Sequence, residues 1–244
     1  MKNDLQKLSS HRLRNLRIMV KLLHLAPFCS CVILNGSMAE GKIKTGSDID
    51  LLIIAKSGRI YTCRAAVLFW AILTGLKRSH DDNKNHAGRF CFNYFLTDNF
   101  LTIPHNRGKK VDKYCAENYS KSILLLGDQK IFDRYMAENW KWMKKYKGEI
   151  PKSKISDLGE GLRLGTTPES RRVGRDGQNP NSQISDQIQK IIEKLLSNGF
   201  GKRIEHTLKN IQIKRIKKDP AVKKYPKYIV FNDRELRFHS PKTE

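Results

Sequence analysis

Acidic side chains are the scarce component of this 244-residue chain: 24 Asp and Glu stand against 47 Lys and Arg, for a net charge of +23. A surface so short of negative charge attracts polyanions in a salt-dependent way, and nucleic acid is the first partner to consider. The alternative is a lysine-rich surface that serves only solubility. Long apolar runs are missing too. The longest, residues 65–76, is too short to cross a bilayer and is followed by Lys77 and Arg78, so it reads as a buried helix and argues against a membrane protein. Residues 21–39 imitate a secretory leader, but they begin well inside the chain and run into the motif described below. No CxxC pair occurs among the five cysteines, and the histidines show no ligand spacing. A zinc site is therefore not expected, and Cys29, Cys31, Cys63, Cys91 and Cys115 read as reduced, buried thiols of a cytoplasmic protein.

What remains is globular in character, with 39% hydrophobic and 29% charged residues, enough to bury a core. Leu5, Leu8, Leu16, Val20 and Leu23 recur at helical spacing, and Pro27 closes that segment. Strands are expected over 28–34, 49–55 and 89–97, with a helix over 61–76 and a polar loop over 77–88. Two helices are expected over 111–126 and 128–146, carrying Trp140 and Trp142, which read as helix core beside a solvated lysine face. Residues 147–182 lose apolar periodicity and gather Gly, Pro, Ser and Asn, the composition of a linker. Helices follow over 184–197 and 201–217, then a small hairpin over 228–238 turning at Asn232-Asp233. The organisation expected is a core with helical cover over 1–147, a flexible linker over 148–183, and a basic helical extension with a terminal hairpin over 184–244. Lys202, Arg203, Lys209, Lys214, Arg215, Lys217 and Lys218 make that extension the candidate polyanion face, a solvated face being the alternative.

One stretch carries chemistry. A strand ends at Asn35-Gly36-Ser37, and after Met38-Ala39-Glu40-Gly41 and the Thr45-Gly46 turn a second begins with Ser47-Asp48-Ile49-Asp50-Leu51. Strand side chains alternate, so Asp48 and Asp50 project together while Ile49 and Leu51 enter the core. Two adjacent carboxylates repel unless a cation lies between them, and in a phosphate-handling site that cation is magnesium or manganese. Gly36 lets the backbone come close to a ligand, and the amides after it, with the Ser37 hydroxyl, can face phosphate oxygens.

These residues resemble the signature of the nucleotidyltransferase superfamily with the polymerase-beta-like fold: a hydrophobic residue, Gly, Gly or Ser, a spacer, then Asp-hydrophobic-Asp. Gly36, Ser37, Asp48 and Asp50 match it, flanked by Leu34, Ile49 and Leu51. Cys91-Phe92-Asn93-Tyr94-Phe95-Leu96, Ala137-Glu138-Asn139-Trp140 and Leu236-Arg237-Phe238-His239 are similar to small nucleotidyltransferase-domain proteins of bacteria and archaea. The resemblance implies an α/β (α+β) core that binds a nucleoside triphosphate with Mg2+ or Mn2+ on Asp48 and Asp50. Gly36, Ser37, Lys44 and Ser47 would lie against the nucleotide, and a nucleoside monophosphate would pass to an acceptor hydroxyl. The positive charge favours RNA as that acceptor, a tRNA among the candidates. Members usually carry a third carboxylate on a later strand. The expected strand holds no acid, so Asn93 is its positional counterpart and Asp98, at the strand's end, the fallback. Glu40 is a second departure, standing where many small members have arginine. A nucleotide- or RNA-binding module that has lost transfer, and an antitoxin-like protein that modifies another protein, are the competing expectations.

Overall fold

The computed structural model describes residues 2–41, 46–78, 88–146 and 180–238. These form a mixed α/β structure built on one open, six-stranded sheet. Helix α1 (Lys2–Leu23) leads into β1 (Cys29–Asn35), the single turn α2 (Gly36–Ala39), β2 (Ile49–Ala55), α3 (Ile60–Leu73), β3 (Phe90–Thr97), α4 (Lys109–Tyr119), β4 (Ile123–Gly127) and α5 (Gln129–Met143). After a 3-10 turn (Lys144–Tyr146) come α6 (Pro180–Leu196), α7 (Gly199–Ile216), α8 (Pro220–Lys224), β5 (Val230–Phe231) and β6 (Glu235–Arg237). The strands lie in the order β4-β1-β2-β3-β6-β5. The β2–β3 pair is parallel and the other neighbours are antiparallel.

Alternation along β1 and β2 loads both faces of this sheet. Val32, Leu34, Ile49, Leu51 and Ile53 join Leu16, Met19, Val20 and Leu23 of α1 and Tyr61, Cys63 and Val67 of α3 in one core. Ile33, Leu52 and Ile54 join Ala116 of α4 and Tyr135, Trp142 and Met143 of α5 in the other. Trp142 donates its ring N–H to Asn139 at 3.1 Å and is buried, which places the tryptophan in the core as its helical spacing suggests. None of the five cysteines is in a disulfide. Among the described residues no helix is long and apolar enough to cross a membrane.

Two segments depart from the sequence expectation. The helix anticipated over 111–126 stops at Tyr119, and Ile123–Gly127 is instead a strand paired with β1. Four consecutive apolar residues fit either period, and here an open sheet edge decides. Gly127 ends the strand at φ +114°, where a Cβ would meet the Ser30 carbonyl oxygen at 2.0 Å. The terminal hairpin does form, but it extends the sheet: Tyr94, Phe95 and Leu96 of β3 pair with Arg237, Leu236 and Glu235 of β6. Most of the expected linker, residues 148–179, lies outside the described residues, and α6 begins at Pro180.

Helix α7 is tied to the core by polar contacts. Arg59 at the N-cap of α3 provides no side-chain cap. Glu205 of α7 does so from outside, its carboxylate accepting from the Tyr61 N–H at 2.9 Å, the Thr62 N–H at 2.8 Å and the Thr62 hydroxyl. Gln212 of α7 accepts from Arg64 Nη1 at 2.7 Å and donates to the Tyr61 carbonyl at 2.8 Å. Removing Glu205 leaves orphan N–H groups at a helix start. Glu205→Ala should therefore cost about 1–3 kcal/mol, read as a lowered urea midpoint; an unchanged midpoint would show that α7 does not hold α3 this way.

Candidate active site

The site begins with a backbone constraint. Asn35, the last residue of β1, pairs with Asp50 near the start of β2. The chain then turns at Gly36, φ +70°, so tightly that a Cβ there would lie 2.6 Å from Asp50 Oδ2. Only glycine accepts both that dihedral and that proximity. Asp48 and Asp50 project to the same side, as the alternation requires, while Ile49 and Leu51 are buried on the other. The residue that joins them is Cys91. Asp50 pairs with Cys91 on β3, and one ligand atom from each of Asp48, Asp50 and Cys91 lies within 4.8 Å of the others.

That placement corrects the expectation for the third position. The register between β2 and β3 shifts between Asp50 and Leu52, so that Leu52 pairs with Tyr94. The extra residue of this bulge interrupts the alternation. Asn93 does not line the cleft at Asp50; its carbonyl accepts from the Phe238 N–H at 2.9 Å. Asp98 is at the other end of β3, where its carboxylate accepts from the Ser57 N–H at 2.9 Å. Asp98 is thus remote from the aspartate pair, and Asn93 sits in the bulge next to the Asp50–Cys91 pair without lining the cleft. Ser47 accepts from Arg12 Nη1 at 3.4 Å through its hydroxyl and from the Gly88 N–H at 3.2 Å through its carbonyl. Ser37 is half-buried in α2 and does not line the cleft, and Lys44 lies outside the described residues.

Charge is balanced by arginines that no sequence signal singled out. Arg78, whose backbone N–H bonds the Phe90 carbonyl, reaches Asp48 Oδ2 with Nη1 at 2.5 Å. Arg12, 2% exposed, is lowered by burial, and the charge of Asp48 opposes that shift. Burial and then the Asp50 and Asp48 charges raise the Cys91 thiol well above its ordinary value, so it stays protonated. Glu40, at the end of α2, is paired with Lys121 at 2.6 Å. The two carboxylates suit a hard cation such as Mg2+ or Mn2+, whose ligands are oxygens; the sulfur of Cys91 does not.

Asp50, Gly36, Cys91 and Arg78 open into a cleft of about 900 Å³, its solvent-filled mouth included. Its other walls come from β3, α4, the loop before α4 and the C-terminal segment, and bring Tyr94, Tyr114, Tyr119 and Tyr228 together with Arg107 and Arg237. Aromatic side chains beside guanidiniums suit a planar, anionic ligand. Cys91 was visible in the sequence as a thiol in the expected strand, but its place opposite Asp50 follows from the β2–β3 register, which no local pattern encodes. Arg237 lies in the expected hairpin, and nothing in its local sequence tells that the hairpin pairs with β3.

No protein-family model, curated protein or solved structure matches the chain significantly.

A side chain at position 36 should strain the turn and press on Asp50 at once. Gly36→Ala is expected to cost about 1–3 kcal/mol by chemical denaturation, and less in an Asp50→Ala background, where the clash is gone. An equal cost in both backgrounds would mean that the dihedral alone demands glycine.

Proposed function

We propose that this chain is a metal-dependent nucleotidyltransferase with a polymerase-beta-like core, moving a nucleoside monophosphate from a nucleoside triphosphate to an acceptor hydroxyl on RNA. The observation that carries the reading is the approach of Gly36 to Asp50, beside Asp48, at the wall of a cleft lined by tyrosines and arginines. Two carboxylates at the start of β2 bring ligand oxygens within 4.8 Å of each other beside that cleft, a spacing that one cation can bridge. Asp48 and Asp50 would hold Mg2+ or Mn2+, which when bound supplies charge neutralisation at the reacting phosphate.

The chain's own groups do the rest. Arg78 is the counter-charge that a cation at Asp48 would replace, and once released it is placed to turn toward phosphate oxygens. Tyrosine faces along α4 and at Tyr228 offer stacking for a base. The acceptor oxygen bonds to the α-phosphorus, the bond from that phosphorus to the bridging oxygen breaks, and pyrophosphate departs. The hydroxyl proton leaves to solvent through the cleft's mouth. The case for RNA rests on charge. Lys202, Arg203, Lys214, Arg215, Lys217, Lys218, Lys223, Lys224 and Lys227 are exposed on α7, α8 and the segment after them, which leads directly to Tyr228 in the cleft. Lys209 is instead paired with Asp233 at 2.7 Å.

One observation favours a second reading, a binding module without transfer: the place beside the two aspartates is filled by a thiol and not by a carboxylate. The two separate on incubation of the protein with labelled nucleoside triphosphates, Mg2+ or Mn2+, and total cellular RNA. The transferase reading expects label in RNA, lost in Asp48→Ala/Asp50→Ala, and a higher rate in Cys91→Asp, which adds the missing carboxylate. RNA binding that weakens steeply with salt, with no label transferred by the native protein or by Cys91→Asp, would leave the binding module. Label found in protein would point to the antitoxin-like activity.

A further inference from the structure

The wall of the cleft carries positive charge that the chain itself does not satisfy. Arg237, on β6, is 4% exposed, and its Nη1 is buried without a hydrogen-bond partner. Glu235 Oε1 stands 3.4 Å from its Nε as an ion pair, but that same oxygen accepts the Tyr94 hydroxyl at 2.9 Å. Arg107, in the loop before α4, spends Nη2 on the Cys115 sulfur at 3.1 Å and leaves its Nε buried and unmatched. Both side chains line the cleft.

The two guanidiniums act on the same place. Burial raises the Glu235 carboxyl and the Cys115 thiol, and the charges of both Arg107 and Arg237 oppose the rise at each. Burying a guanidinium without a full set of acceptors is costly, and bringing a second one near it adds repulsion. An anion entering between them would supply the missing acceptors. Helix α2, beside Gly36, has no cation to offer, since Glu40 at its end is itself acidic and engaged with Lys121.

Register fixes how this wall relates to the aspartates. Leu52, Tyr94 and Arg237 form one row across β2, β3 and β6, two residues along β2 from Asp50. From strand spacing, the backbones of Asp50 and Arg237 are about 12 Å apart, a gap that an arginine side chain and a run of phosphates close together. The depth of Arg237 admits a slender anion and not a nucleic-acid backbone lying on the surface.

We infer that Arg107 and Arg237 form a phosphate subsite, completed by the C-terminal hairpin, that takes the polyphosphate tail of the nucleotide whose reacting end lies at Asp50. The identity of the ligand rests on the nucleotidyltransferase reading; the anion site rests on the two arginines alone. The test is isothermal titration of the full chain with inorganic pyrophosphate in the absence of divalent metal. The native protein should bind it, Arg237→Met and Arg107→Met should each weaken binding by about tenfold or more, Arg237→Lys should retain part of it, and Asp50→Asn should not weaken it. Circular dichroism checks folding, and if the buried Arg237→Met does not fold, Arg107→Met in its loop decides. Absence of pyrophosphate binding by the native protein, or equal binding by folded Arg107→Met and Arg237→Met, overturns the subsite. Arginine-dependent binding without any nucleotide transfer would keep the subsite and remove the transferase; transfer with an unchanged KM for the triphosphate in Arg107→Met would do the reverse.

Discussion

Asp48, Asp50 and Cys91 bring three groups that can carry negative charge within 4.8 Å of one another on a largely buried sheet face. Their mutual repulsion is the condition that the surrounding structure has to meet. Arg78 closes on Asp48, Arg12 lies near enough for its charge to be felt there, and Cys91 keeps its proton. Gly36 meets the steric half of the same condition, because the β1–β2 register drives Asp50 into the turn. The cluster is thus held by opposite charge and a retained proton, and not by apolar packing.

The parts of this arrangement that could be read beforehand are those governed by short-range rules. Alternation placed Asp48 and Asp50 on one side and Ile49 and Leu51 on the other, and the Gly36 turn lies where the residue pattern sets it. Strand β2 has the bounds expected of it, and β1 and β3 differ by a residue. The unread parts depend on pairings that no local pattern encodes. Ile123–Gly127 has a composition that suits helix and strand alike, and only its partner β1 settles the matter. The β2–β3 register sets Cys91 beside Asp50, and the bulge that follows breaks the alternation that would have carried Asn93 onto the same face. Arg78, Arg107 and Arg237 come to the cleft from two loops and a strand remote in sequence, and in a chain with 47 Lys and Arg no count of basic residues separates them from the rest.

The excess of positive charge is thus of two kinds. Lysines and arginines along α7 and α8 are exposed, so their field is screened within about 10 Å at ordinary ionic strength and works on whatever approaches the surface. The arginines of the cleft are half-buried or buried, where screening is weak and each unmatched N–H group is specific in direction. In the reading proposed above, the first kind gathers polyanions and the second selects among groups small enough to reach it. A molecule with both has a physical reason to distinguish a long anionic partner from a short anionic ligand.

Pairing of β6 with β3 also sets a schedule. Tyr94 and Glu235 are hydrogen-bonded across 141 positions of sequence, so during translation, at about 5–20 residues per second, the cleft stays without one wall for on the order of ten seconds after β3 has emerged. In that interval β3 is an unpaired sheet edge, flat, apolar and open to neighbouring nascent chains. The hairpin that carries Arg237 is therefore a late seal on that edge, closing the sheet and the cleft in one step.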